Sequence, residues 1–228
     1  MRTSPILVSK KEQRFALIYL VLQLLVLPWL LELLRLLPSP PSSAELNILY
    51  FFLNFAAVII GLRHFLKTTL VQTLEQLPKI LLISALGFFA YLLVSVGLSS
   101  LILQFYPNFS NPNDSNIASI AEEHLLLMGI SAVFFVPVTE ECLHRGAIFA
   151  PLLDKSRLLA YLVSAGFFAA IHVIGYIGTA DPTTLILCFL QYLPAGFCLG
   201  AAYEISGSIA APIMIHTAVN LLGILSRT

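Results

Sequence analysis

The sequence predicts an all-α, polytopic transmembrane bundle of seven to eight spanning helices around a polar intramembrane cavity. Three observations carry that expectation. The 228-residue chain is 58% hydrophobic and only 11% charged, whereas soluble domains carry about 25% charged residues. Seven stretches come close to the roughly 20 apolar residues that a helix needs to cross a bilayer. Three hydrophobic stretches of the second half also hold side chains that a lipid-facing helix excludes: Glu140-Glu141-Cys142-Leu143-His144-Arg145, Phe168-Ala169-Ala170-Ile171-His172 and His216-Thr217-Ala218-Val219-Asn220. Ionisable groups at membrane depth cost several kcal/mol, so their clustering points to a functional site.

The spanning candidates are residues 15–37, 47–65, 79–105, 125–150, 158–177, 183–203 and 208–225. Arg2, Lys10, Lys11 and Arg14 precede the first apolar run as they would in a signal peptide. That run exceeds the roughly 7–15 residues of a signal core and ends at Pro38-Ser39-Pro40-Pro41-Ser42, so it reads as a retained helix. Residues 66–78 interleave Leu66, Leu70, Val71, Leu74 and Leu77 with Lys67, Gln72, Glu75 and Gln76, as in an amphipathic helix at the interface. Residues 106–118, rich in Pro, Asn and Ser, read as an exposed outer loop.

Twelve basic and twelve acidic residues cancel, which offers no electrostatic case for a nucleic-acid partner. Cys142, Cys188 and Cys198 sit in apolar segments without the paired spacing of a zinc or redox motif, and read as small hydrophobes. No polar stretch is long enough to bury a core of its own, so the chain reads as one membrane domain. Basic residues alternate between connections: the N-terminal segment, then Arg63, Lys67 and Lys79, then Lys155 and Arg157. The intervening connections hold Glu45, then Asp114, Glu122 and Glu123, then Asp181. The positive-inside rule therefore expects a cytoplasmic N-terminus. Arg35, against the pattern, has Glu32 as a neighbour, and Arg227 falls on the outer side of a seven-helix chain.

At about 1.5 Å per residue, Glu140, His172, His216 and Asn220 come to about 12–21 Å above the cytoplasmic ends of their helices, one common layer. Glu140 and Glu141 leave their helix about 100° apart and take different jobs. Glu141 lies four residues before Arg145, the favourable order for an ion pair, and leaves Glu140 free to face a cavity. His216 and Asn220 share a helical face and offer donors to an anionic intermediate. Pro137, Pro194, Gly196 and Pro212 interrupt the helices near these residues, as expected where protein or water answers freed backbone groups. His144 is expected toward the cytoplasmic mouth and His124 near the outer boundary.

These motifs, Glu140-Glu141 with Arg145, Phe168 with His172, and His216 with Asn220, resemble those of the type II CAAX prenyl endopeptidases. That group is also called the CPBP (CAAX protease and bacteriocin-processing) or Abi family of intramembrane proteases. The resemblance covers about residues 120–225. Together with the apolar spans and the charge pattern above, it divides the chain into a cytoplasmic segment at 1–14, N-terminal transmembrane helices at 15–119 and a catalytic core at 120–228. It further implies an endopeptidase with no cofactor or metal, in which Glu140 and His172 activate water while His216 and Asn220 hold the oxyanion. Glu141, Arg145 and Phe168 support them. A buried carboxylate and preformed donors suit that division of labour.

The leading expectation is thus a protease of the bacterial cell membrane that cleaves a membrane-associated peptide or protein at the cytoplasmic leaflet, in bacteriocin processing or self-immunity. A second is a non-catalytic scaffold or regulator of a membrane partner such as a sensor kinase. A third lets Glu140, His172 and His216 ligate zinc. A transporter would show paired interrupted helices in its two halves, and no such repeat is evident.

Overall fold

The computed structural model describes residues 5–226. Its described residues form nine helices: α1 (Lys10–Leu36), α2 (Ser43–Gly61), α3 (Arg63–Glu75), α4 (Leu77–Phe105), α5 (Pro112–Glu123), α6 (Leu125–Leu153), α7 (Arg157–Ile171), α8 (Pro182–Ser206) and α9 (Ala210–Leu225). Local chemistry sets their ends. Ser9 with Glu12 and Ser42 with Glu45 form reciprocal capping boxes that start α1 and α2. Asn111, Ser156 and Asp181 cap α5, α7 and α8. Gly207, at φ 77°, ends α8 in the left-handed conformation that glycine adopts without penalty. The exposed Arg35 pairs with Glu32, as their spacing expects.

Two expectations change. Six helices are long and apolar enough to span, where seven to eight were expected. The seventh candidate, α9, has 16 residues because the Gly207–Ser208 turn delays its start to Ala210. The expected outer loop 106–118 is half helical: Asn111 accepts the N–H groups of Asn113 and Asp114, which nucleates α5 in a segment whose Pro and Asn content reads as loop. The amphipathic stretch is present as α3, three residues earlier than expected.

α6 is the hub, packed against α1, α2, α7, α8 and α9, while α4 packs on α8 and α9. The end of the bundle that carries the basic connections is closed by a dry cluster including Leu62, Phe65, Leu143, Phe149 and Tyr203. There the Glu12 carboxylate accepts the Phe65 N–H at 2.9 Å and pins α1 to α3.

Three prolines shape the interior by one device. Pro28, Pro137 and Pro151 lack an N–H, and the helix before each widens so that Leu27, Val136 and Ala150 bond back five residues to Leu22, Ser131 and Arg145. The carbonyls left over four or five residues upstream are answered from other helices. Tyr50 Oη donates to Gln23 O (3.2 Å) and Gln13 Nε2 to Ala147 O (3.3 Å). Thr217 Oγ1 donates to Val133 O and Asn220 Nδ2 to Ala132 O, both at 2.8 Å. Each proline thereby becomes a tie between helices.

α7 and α8 approach so closely that a Cβ on Gly196 would lie 2.5 Å from the Ala165 Cα. Small residues permit such approach in membrane bundles. Gly196→Ala is therefore expected to destabilise the detergent-solubilised protein by about 1–3 kcal/mol, read as a lowered thermal midpoint. Gly129→Ala, where nothing lies within 4 Å, is the neutral control.

Candidate active site

A cavity of about 750 Å³ opens within the bundle, and Glu140, Phe168, His172, His216 and Asn220 all stand on its wall. Glu141 and Arg145 lie behind that wall, fully buried. The three motifs thus converge, as their common depth predicts; Glu141 and Arg145 stand behind the wall, while Phe168, expected beside them as a supporting residue, lines the cavity.

Glu140 and His172 face each other, Oε2 to Nε2, across 3.8 Å, and remain 20% and 16% exposed. That separation exceeds a direct hydrogen bond and suits a bridging water. His172 Nδ1 lies 2.8 Å from the Phe168 carbonyl, which can only accept, so Nδ1 carries a proton and Nε2 is the ring nitrogen turned to the cavity. Glu140 Oε2 is inaccessible to bulk solvent and has no hydrogen-bond partner within the protein.

The second carboxylate is employed differently. Glu141 Oε1 accepts from Arg145 Nη1 at 3.1 Å and from His216 Nδ1 at 2.9 Å. One oxygen therefore neutralises a buried guanidinium and sets the tautomer of a cavity histidine, as carboxylates behind functional imidazoles do. Arg145 Nη2 reaches the Ala195 and Gly196 carbonyls of α8, at 3.4 Å each, and the guanidinium sits 4.6 Å from the centroid of the Phe168 ring. Phe168 also packs at a tilt on His172, centroids 4.6 Å apart, and meets His216 edge-on. The conspicuous Phe of the second motif is a shared aromatic floor for both histidines and the arginine.

Asn220 is held by its bond to Ala132 O, which leaves its second N–H and its carbonyl oxygen for other partners. Neighbouring Thr217, which motif reading passes over, holds the other carbonyl freed by Pro137. The position of Pro137 announces orphan carbonyls at residues 132 and 133; nothing in the sequence says that α9 would answer them.

Tyr192 is a further residue without a sequence signal. Its ring stacks on His172 at 4.3 Å, while its hydroxyl accepts from Asn113 Nδ2 (2.9 Å) and donates to Asp114 (3.1 Å). Tyr192→Phe keeps the stack and is expected to retain most activity. Tyr192→Ala is expected to slow cleavage about threefold to tenfold, in line with the worth of an aromatic pair; comparative rates at equal membrane levels check this.

One expectation is corrected. His144 is fully buried and not at the cytoplasmic mouth; its Nδ1 bonds the Glu140 carbonyl at 2.7 Å and its ring packs on Phe167 and Phe168. Among the described residues no group of three or more His, Cys, Asp or Glu side chains is placed to hold a metal ion. His124 lies half-exposed at the α5–α6 junction, beside Glu123.

No curated protein and no solved structure matches the chain. Residues 122–222, which contain all three motifs, match the model of the Type II CAAX prenyl endopeptidase Rce1-like family; over that part the chain is similar to CAAX-type membrane proteases.

Proposed function

We propose that the protein is a glutamate-dependent, metal-independent intramembrane endopeptidase of the bacterial cell membrane, with a cytoplasmic N-terminus, that acts in bacteriocin processing or self-immunity. The observation that carries the catalytic reading is the facing pair Glu140 and His172, separated by 3.8 Å on a cavity wall. The alternation of basic connections supports the orientation; the bacteriocin role is only what the motif resemblance to the broader CPBP family implies.

In this reading a water lies between the Glu140 carboxylate and His172 Nε2, and Glu140 takes its proton as the oxygen attacks a peptide carbonyl. The C–N bond then breaks, and the proton held at Glu140 passes to the departing amine. The tetrahedral oxyanion is met by the remaining Asn220 N–H and by His216 Nε2. Because His216 Nδ1 is committed to Glu141, Nε2 donates only when the ring carries its second proton, with the Glu141 carboxylate as counter-charge.

The test is complementation in the native host by wild type, Glu140→Gln and His172→Ala, with membrane levels measured. Loss of phenotype at normal levels is expected. Retention by Glu140→Gln would overturn proteolysis and favour a scaffold or regulator of a membrane partner such as a sensor kinase. The engagement of Thr217 and Asn220 as helix ties is the observation that supports this second reading.

A further inference from the structure

The cavity is not centred in the bundle. From Glu140 it runs past Ser95, Ser99, Gln191 and Tyr192 to Asn113 and Asp114. Those last residues belong to α5, in the connection between α4 and α6, one of the connections that carry acidic residues and no Lys or Arg. In the opposite direction the site meets the packed plug of Leu62, Phe65, Leu143, Phe149 and Tyr203, beneath the connections with Arg63, Lys67, Lys155 and Arg157. The polar reach of the cavity and the basic connections are therefore at opposite ends of the molecule. The positive-inside rule assigns the basic end to the cytoplasm.

We infer that the site is served from the extracytoplasmic side and takes an extended peptide segment lying along a wall of amides and hydroxyls. This rests on the proteolytic reading above, and it reverses the cytoplasmic-leaflet access expected from sequence. The wall chemistry names the substrate class. Ser99, Gln191, Asn111 and Tyr192 are distributed along the passage and present both donors and acceptors, the complement of an unpaired peptide backbone. An isoprenyl chain would instead meet these groups at the cost of stripping them of water without a replacement bond. The passage is also organised: Asn111 Nδ2 donates to Gln191 Oε1 (3.0 Å), and Gln191 Nε2 to Ser99 Oγ (3.2 Å), linking α5, α8 and α4 across it. A peptide strand enters by exchanging these side-chain bonds for bonds to its own backbone.

Two measurements on the full chain test this. Asn116→Cys, exposed at the passage, and Asp154→Cys, exposed between α6 and α7, are treated with a membrane-impermeant maleimide in right-side-out and inverted vesicles, with the parent chain as background. Labelling of Asn116→Cys only in right-side-out vesicles, and of Asp154→Cys only in inverted ones, is expected; the reverse overturns the access side. Membrane-protein N-termini are then compared between cells with wild type and with Glu140→Gln. New termini on extracytoplasmic flanks of spans, lost in Glu140→Gln, are expected. Termini on cytoplasmic flanks, or cleavage confined to isoprenylated chains, overturn the inference while leaving proteolysis standing. If no terminus depends on Glu140, proteolysis itself falls and the peptide assignment with it, a result that the labelling pattern cannot imitate.

Discussion

Arg145→Ala should prevent the protein from accumulating in folded form. The guanidinium is fully buried, pairs with Glu141 at 3.1 Å, bonds two α8 carbonyls and lies over Phe168. Its removal leaves a buried carboxylate with one histidine for company, and breaking such a pair from one side costs about 3–5 kcal/mol. That is a large share of the roughly 5–15 kcal/mol by which folded proteins are stable. The expected result is a steep drop in membrane level and, in what survives, a thermal midpoint well below wild type. Glu141→Gln should be milder, because an amide oxygen still accepts from Arg145; but it removes the counter-charge of His216, so cleavage falls further than stability. Equal losses in both quantities would argue that Glu141 has no part in setting that imidazole.

Glu140→Gln should do the opposite, leaving the fold intact and removing the activity. Glu140 faces the cavity, and no hydrogen bond joins its Oε2 to the protein, so an amide of the same shape disturbs little packing. Loss of a positioned general base costs about 10²–10⁴-fold in rate. The expected outcome is cleavage lowered by at least about a hundredfold with the thermal midpoint unchanged. Glu140→Asp sharpens the point: retracting the carboxylate by one methylene lengthens a separation that is already 3.8 Å, and partial activity is expected. Full activity in Glu140→Gln would remove Glu140 from the chemistry.

Much of this architecture is legible from residue order because membranes impose simple demands. Apolar length marked the spans, and the Glu141–Arg145 spacing announced an ion pair that the structure places in the core. The common depth of Glu140, His172, His216 and Asn220 was sufficient to bring them to one cavity. What escaped was set by neighbours distant in sequence. Asn111 turned an Asn- and Pro-rich segment into a helix start, and the glycine turn at Gly207 shortened the last apolar helix. Tyr192 earned its place beside His172 only through the packing of α8 on α7. His144, expected toward the cytoplasmic mouth, is instead carried into the core by the widened helix after Glu141.

The ties made by Pro137 also impose an order of assembly. The carbonyls of Ala132 and Val133 find their donors 88 and 84 positions later, on α9. During synthesis α6 therefore enters the bilayer with two acceptors that lipid cannot satisfy, and it reaches its final shape only when the last helix arrives. Thr217 and Asn220 travel on the same helix as His216, so the arrival that completes the backbone of α6 also delivers the histidine to Glu141. A hydrolytic centre built this way stays unassembled while the nascent chain is still being threaded into the membrane.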